Sequence, residues 1–247
     1  MRLPSPSGKQ VILVARKRIV FVIVEGPSDD TALGLLLNQY YAPRPVYVQI
    51  LRRDITTESG AKPENILTRV AAEIRKYARD NHLEKLHFQE IIHLTDTDGA
   101  YIGDEFIIED ALAASPIYTQ TAIRTCNKTG IEHRNRQKRA NLDKLSSTKS
   151  IWGIPYRIFY LSCNLDHVLY NKLNTTDEEK ETDAFRFAKQ YKGKVPDFVR
   201  FISQSAFSVQ GGYSDSWQYI KSGLNSLERH TNLGLCFADD SLETDSI

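Results

Sequence analysis

Cysteine is scarce in this chain and poorly spaced for cross-linking. Cys126, Cys163 and Cys236 are three residues with no paired spacing. This excludes a disulfide framework and a zinc ribbon, and fits a reducing compartment. Long hydrophobic runs are also missing. "VILV" and "IVFVIV" are too short to span a bilayer and are separated by Arg16, Lys17 and Arg18. The opening "MRLPSPSGKQ" has no apolar core of signal-peptide length. The expectation is a soluble, cytoplasmic protein with no membrane partner. Charge of one sign is not in excess either, since the formal net charge is +1. Any case for nucleic-acid binding therefore rests on local patches. No internal repeat or low-complexity block is visible, and there is no P-loop. What remains is an ordinary globular composition, 41% hydrophobic and 26% charged over 247 residues. That length supports one large domain, or one domain with an extension.

The first hundred residues alternate between two periodicities. "RIVFVIV" (Arg18 to Val24) is a β-branched apolar run suited to a strand buried on both faces. Pro27, Ser28, Asp29 and Asp30 then start a helix, with Leu33, Leu36, Leu37 and Tyr40 on its apolar side. "PVYVQIL" (Pro45 to Leu51) is a second strand. Glu64 to Asp80 is a second amphipathic helix, and His87 to Thr95 is a third strand. Such alternation predicts an α/β unit with a parallel sheet flanked by helices. "YRIFYLS" (Tyr156 to Ser162) returns to strand character, and a short helix follows with Asn164 near its cap. "TTDEEKETD" reads as an acidic hinge. Helices are expected around Ala184 to Tyr191, Pro196 to Ile202 and Ser214 to Glu228, before the polar tail "DDSLETDSI". The expected organisation is an α/β domain over residues 1–172, with a basic insertion at about 124–150, and a helical extension with its tail over 173–247.

That insertion carries Arg134, Arg136, Lys138, Arg139, Lys144 and Lys149, and shows no clear apolar stripe. It reads as a partly helical, solvent-facing segment whose cations contact phosphates. A solvated face is the plainer alternative for such a run. On this reading, charge reversal there leaves the fold intact.

Two strands end in acids. The first stops at Glu25-Gly26, and the third runs into "HLTDTDG", with Asp96 and Asp98 one residue apart. Neighbouring like charges raise each other's pKa unless a cation sits among them. In a parallel sheet, ligands gather at the carboxyl ends of the strands. Sheet pairing would bring Glu25 to the aspartates, giving an all-oxygen site suited to Mg²⁺ or Mn²⁺. Asp29 and Asp166 are further candidates, although each also sits where a helix starts and has a capping explanation. Glu25 lies just past the buried strand, so its replacement is expected to spare the fold.

"VIVEGPSD" (Val22 to Asp29) and "HLTDTDG" (His93 to Gly99), in this order at two strand ends, resemble the TOPRIM domain. The variant "EGPSD" is most similar to the overcoming-lysogenization-defect and phage-defence nucleases. The resemblance covers about the first hundred residues and the strand at Tyr156. It implies a TOPRIM-like sheet and a metal-dependent endonuclease, with Glu25, Asp96 and Asp98 as catalytic metal ligands. In that branch a further acid often follows a later strand, and Asp166 is the loose match. The implied partners are DNA or RNA, an ATPase encoded separately, and further copies of the chain. The implied role is an abortive-infection effector.

Two other readings compete. One is a non-catalytic TOPRIM-like binding or assembly subunit. The other is a phosphatase of the haloacid-dehalogenase kind, since "DTDGA" approaches that family's Asp-x-Asp-Gly-Thr. There the motif follows the first strand and ends in Thr; here it follows the third and Ala100 stands in that place.

Overall fold

The computed structural model describes residues 17–242. The "VILV" run and the last residues of the tail lie outside them. The chain is an α/β protein whose mainly parallel mixed sheet is flanked by helices, with a small second sheet and C-terminal helices. Strands β1 (Arg18–Val24), β2 (Val46–Arg52) and β3 (Phe88–Asp96) form from the apolar runs read in the sequence. A small sheet of β4 (Ile107–Glu109), β5 (Ile117–Tyr118) and β6 (Ile123–Thr125) follows. Then come β7 (Ser150–Ile151), β8 (Ile154–Ser162) and β9 (His230–Thr231). The main sheet has the order β2-β1-β3-β8-β7, with β9 also on β8. The four long strands are parallel, while β7 and β9 run antiparallel to β8.

The chain leaves β1 toward one side for β2 and returns to the other side for β3. The gap between the carboxyl ends of β1 and β3 is therefore a topological switch point, where such sheets form a crevice.

Alternate residues of the buried strands face opposite layers. Val20, Val22 and Val24 pack with Leu33, Leu36, Phe187, Phe198 and Ile202. Phe21 and Ile23 pack with Ile66, Val70, Ile74, Leu142, Leu145 and Trp217. The first helical segment is a turn α1 (Pro27–Asp29), a π segment (Asp30–Gly34) and α2 (Leu35–Tyr41). The other helices are α3 (Ile66–Asp80), α4 (Lys128–Ser146), α5 (Leu165–Tyr170), α6 (Asp177–Tyr191), α7 (Val195–Gln204) and α8 (Tyr213–Ile220). Among the described residues no helix is long and apolar enough to cross a membrane.

Three expectations need correction. The basic stretch is a 19-residue helix, α4, with Ile131, Asn135, Lys138, Asn141, Leu142 and Leu145 buried. Its inner face mixes polar and apolar side chains, so no apolar stripe announces it. The acidic hinge is the start of α6, where Thr176 accepts the amide of Glu179 and Glu179 accepts that of Thr176, a capping box. The helix expected over 214–228 stops at Ile220; turns follow, with Gly223 at φ +54°, which disfavours continuing the helix. Leu227 consequently joins Ile102, Ile107, Ile123, Ile131 and Cys163 in a third apolar cluster. The small sheet was not foreseen at all.

Two histidines are sealed into the fold. His93 Nδ1 is 2.8 Å from the Tyr156 hydroxyl, and burial lowers its pKa from 6.5 to about 4. His167 is lowered to about 4, chiefly by burial and then by Arg229. Below its unfolded pKa, each takes up a proton only when the chain unfolds. Stability from these groups is thus complete above pH 6.5 and drains away toward pH 4. Between pH 6.5 and 5 this amounts to about 2 kcal/mol for His93, at 1.36 kcal/mol per unit. Buried acids with raised pKa titrate with the opposite sign, so the test is a difference. From pH 7 to 5, the parent should lose about 2 kcal/mol more unfolding free energy than a His93→Leu, Tyr156→Phe variant. Equal losses in denaturant titrations would contradict a neutral buried His93.

Candidate acid site at the sheet switch point

Each of three neighbouring strands delivers an acid to the same end. Glu25 follows β1, Asp96 is the last residue of β3, and Asp54 lies two residues past β2. Glu25 joins β1 to β3: its Oε1 accepts from the Thr95 hydroxyl at 2.7 Å and from the Asp96 amide at 3.0 Å. It is therefore part of the framework, which corrects the expectation that it stands clear of the fold. Asp29 Oδ2 accepts from the Gly26 amide at 2.7 Å, closing the turn after β1.

The "TDTDG" loop is pinned from below. The amides of Thr97 and Asp98 donate to the Cys163 carbonyl at 3.1 and 2.8 Å, and the Thr97 hydroxyl donates to the Ser226 carbonyl at 2.9 Å. Asp98 has φ +49° and Gly99 has φ +65°. A Cβ on Gly99 would also stand 2.6 Å from Leu227 Cδ2. Glycine here serves both backbone conformation and space.

Glu25, Asp29, Asp54, Asp96, Asp98 and Asp166 line one pocket of about 610 Å³, with Asp177, Lys180, Glu181 and Tyr118 also on its walls. All five acids expected from the sequence are thus brought together. Of the six basic residues expected to face nucleic acid, Arg136, Lys144 and Lys149 are exposed and Arg139 is half-buried. The other two belong to the site. The Lys138 ammonium is fully buried, bonds Asp98 Oδ2, and lies 3.3 Å from Glu25 Oε1. Arg134 donates to the Asp98 carbonyl at 2.9 Å and to the Tyr118 hydroxyl at 2.5 Å. These two cations are corrected from surface contacts to internal partners of the acids.

Electrostatics reflect this crowding. Burial raises Glu25 to about 8; Lys138 opposes the rise, while Asp54 and Asp98 add to it. Burial raises Asp29 to about 6, with Asp166 adding to the effect. Asp96 is pushed well above the usual carboxylate range by burial and then by Glu25, Asp29 and Asp98. Asp166 is also raised by burial. For Asp54, burial acts upward, but Lys138 and hydrogen bonds from Thr57 and Thr56 leave the carboxyl lowered. The Lys138 pKa is raised well above normal: burial opposes its charge, but Asp98, Glu25, Asp54 and Asp96 outweigh that.

Asp96 Oδ1 and Asp166 Oδ1 are buried with no hydrogen-bond partner among the described residues. An all-carboxylate donor set with two uncompensated oxygens has the chemistry of a hard-cation site. Among the described residues, however, no three acids are already gathered around one ion position. Seating a metal on Glu25, Asp96 and Asp98 requires these side chains to close in.

The sequence reading missed Asp54, Lys180 and the inward role of Lys138. Asp54 carried a weaker signal, because it lies two residues past the end of β2, whereas Glu25 directly follows β1. Lys138 carried none: inside and outside lysines of a polar helix look alike. No protein-family model, curated protein or solved structure matches this chain significantly.

Proposed function

We propose that the chain is a divalent-metal-dependent nuclease hydrolysing phosphodiester bonds of DNA or RNA. The supporting observation is the convergence of Glu25, Asp54, Asp96 and Asp98 on one pocket at the sheet switch point. Mg²⁺ or Mn²⁺ would be held by Glu25, Asp96 and Asp98, with Asp29 and Asp166 on the same pocket. Once bound, the metal would polarise the phosphoryl group and activate water. Glu25 keeps the β1 and β3 ends in register, while Arg134 fixes the Asp98 backbone. Arg136, Arg139, Lys144 and Lys149 offer phosphate contacts, which hold a backbone without reading its sequence. The TOPRIM resemblance extends this to a phage-defence effector working with a separately encoded ATPase or another trigger. A binding or assembly module is the second reading, favoured by one observation: Lys138 already gives the acids a counter-ion.

The test is direct. Plasmid, single-stranded DNA and cellular RNA are incubated with purified protein and Mg²⁺, Mn²⁺ or EDTA. At least one substrate should be cut with metal and none with EDTA. Calcium, magnesium or manganese should also raise the melting temperature of the parent by relieving carboxylate repulsion. An Asp96→Asn, Asp98→Asn variant should lose both effects. An equal thermal shift in that variant would put the metal elsewhere, and a parent that binds metal but cuts nothing would favour the binding module.

A further inference from the structure

We propose that Lys138 sets the affinity of the acid pocket for divalent cations, because its ammonium and the metal compete for Glu25 and Asp98. The inference rests on the reading of this pocket as a metal site and adds what governs its loading. The Lys138 ammonium stands between two of the three expected ligands, bonded to Asp98 and 3.3 Å from Glu25. Its side chain is fully buried, while Asp98 and Glu25 are mostly buried on the pocket wall, so solvent screens the contact only in part. A divalent ion placed on the same two carboxylates would meet a like charge at contact distance in a partly screened setting. Metal binding therefore requires the Lys138–Asp98 pair to open.

The displaced ammonium has a destination. Asp54 lines the same pocket and already attracts Lys138. The helix can stay in place while the side chain moves, because the neighbouring Asn141 anchors α4 by donating to the Thr56 carbonyl at 2.9 Å. In the metal-free state one monovalent cation holds the acids together; in the loaded state the metal takes over that work.

The experiment compares calcium binding by titration calorimetry for the parent, Lys138→Met and Lys138→Arg, each stripped with EDTA. Melting temperatures are measured with EDTA and with saturating calcium. The Met variant should bind calcium at least about tenfold more tightly than the parent. It should melt lower in EDTA and gain more from calcium. The Arg variant keeps the charge and should bind no more tightly than the parent. If Met does not fold, Lys138→Gln carries the same comparison. A parent that binds calcium alongside a neutral variant that binds no tighter overturns the competition and leaves the metal site standing. An Arg variant as tight as the neutral one overturns it too, by tracing the gain to packing. If no chain binds calcium and the Asp96→Asn, Asp98→Asn variant behaves like the parent, both the competition and the metal reading fall.

Discussion

Lys138→Glu should prevent stable folding, whereas Arg136→Glu, Lys144→Glu and Lys149→Glu together should leave the fold intact. The six basic positions on and just beyond α4 look equivalent in the sequence, but their surroundings are opposite. Lys138 is fully buried against Asp98 and Glu25, with Asp54 and Asp96 also attracting its charge. Removing one partner from a buried ion pair costs about 3–5 kcal/mol. A glutamate would do more, adding another carboxylate to a pocket whose acids already repel one another. Against a typical total stability of about 5–15 kcal/mol, that loss is decisive. Arg134→Glu should also destabilise, because it releases the Tyr118 hydroxyl and the Asp98 carbonyl together. The exposed triple variant should stay within about 0.5 kcal/mol of the parent for each change. It should bind nucleic acid more weakly, with a flatter salt dependence, since fewer counterions are released. Circular dichroism melts and binding titrations across salt concentration separate the two groups. A Lys138→Glu protein that melts with the parent would mean that the buried pair does not form in solution.

Those contrasting fates also mark the limit of the sequence reading. β1 and β3 were legible because an apolar run buried on both faces has no amphipathic competitor, and the parallel order followed from their alternation with helices. The acids were legible because they end such runs. Local patterning fails where burial is polar. Asn135, Lys138 and Asn141 recur along α4 at helical spacing and are buried, yet to a hydrophobicity pattern they look solvent-facing. For Lys138 and Asn141 the partners are far away in sequence: Glu25, Asp98 and Thr56. No window containing α4 alone holds that information. The small sheet failed for another reason. Its strands are two or three residues long, too short to establish a period of two.

The same long-range geometry changes how Glu25 should be tested. Glu25→Ala removes the acceptor for the Thr95 hydroxyl and the Asp96 amide, and one of the two carboxylates that Lys138 contacts. Leaving such buried donors unpaired costs about 1–3 kcal/mol, so a loss of activity in this variant would be confounded by a loss of structure. Glu25→Gln is the sharper experiment. Burial raises the Glu25 pKa to about 8, so a neutral group at this position costs the metal-free protein little. Glutamine is such a group: its carbonyl oxygen can still accept from Thr95 and Asp96. Its stability in EDTA should therefore stay within about 1 kcal/mol of the parent, the worth of a single hydrogen bond. Metal changes the comparison, because magnesium draws the glutamate into its ionised form, whereas an amide is a far poorer ligand. Metal-dependent cleavage should fall by about a hundredfold or more, the scale of losing one preorganised electrostatic contact. Any growth arrest or antiviral restriction in a host cell should vanish with it. Denaturant unfolding in EDTA and cleavage in Mg²⁺ or Mn²⁺ are measured on the same preparation. A Gln variant that folds like the parent and still cuts or arrests growth at the parent's level would remove Glu25 from the catalytic set and leave the binding-module reading in its place.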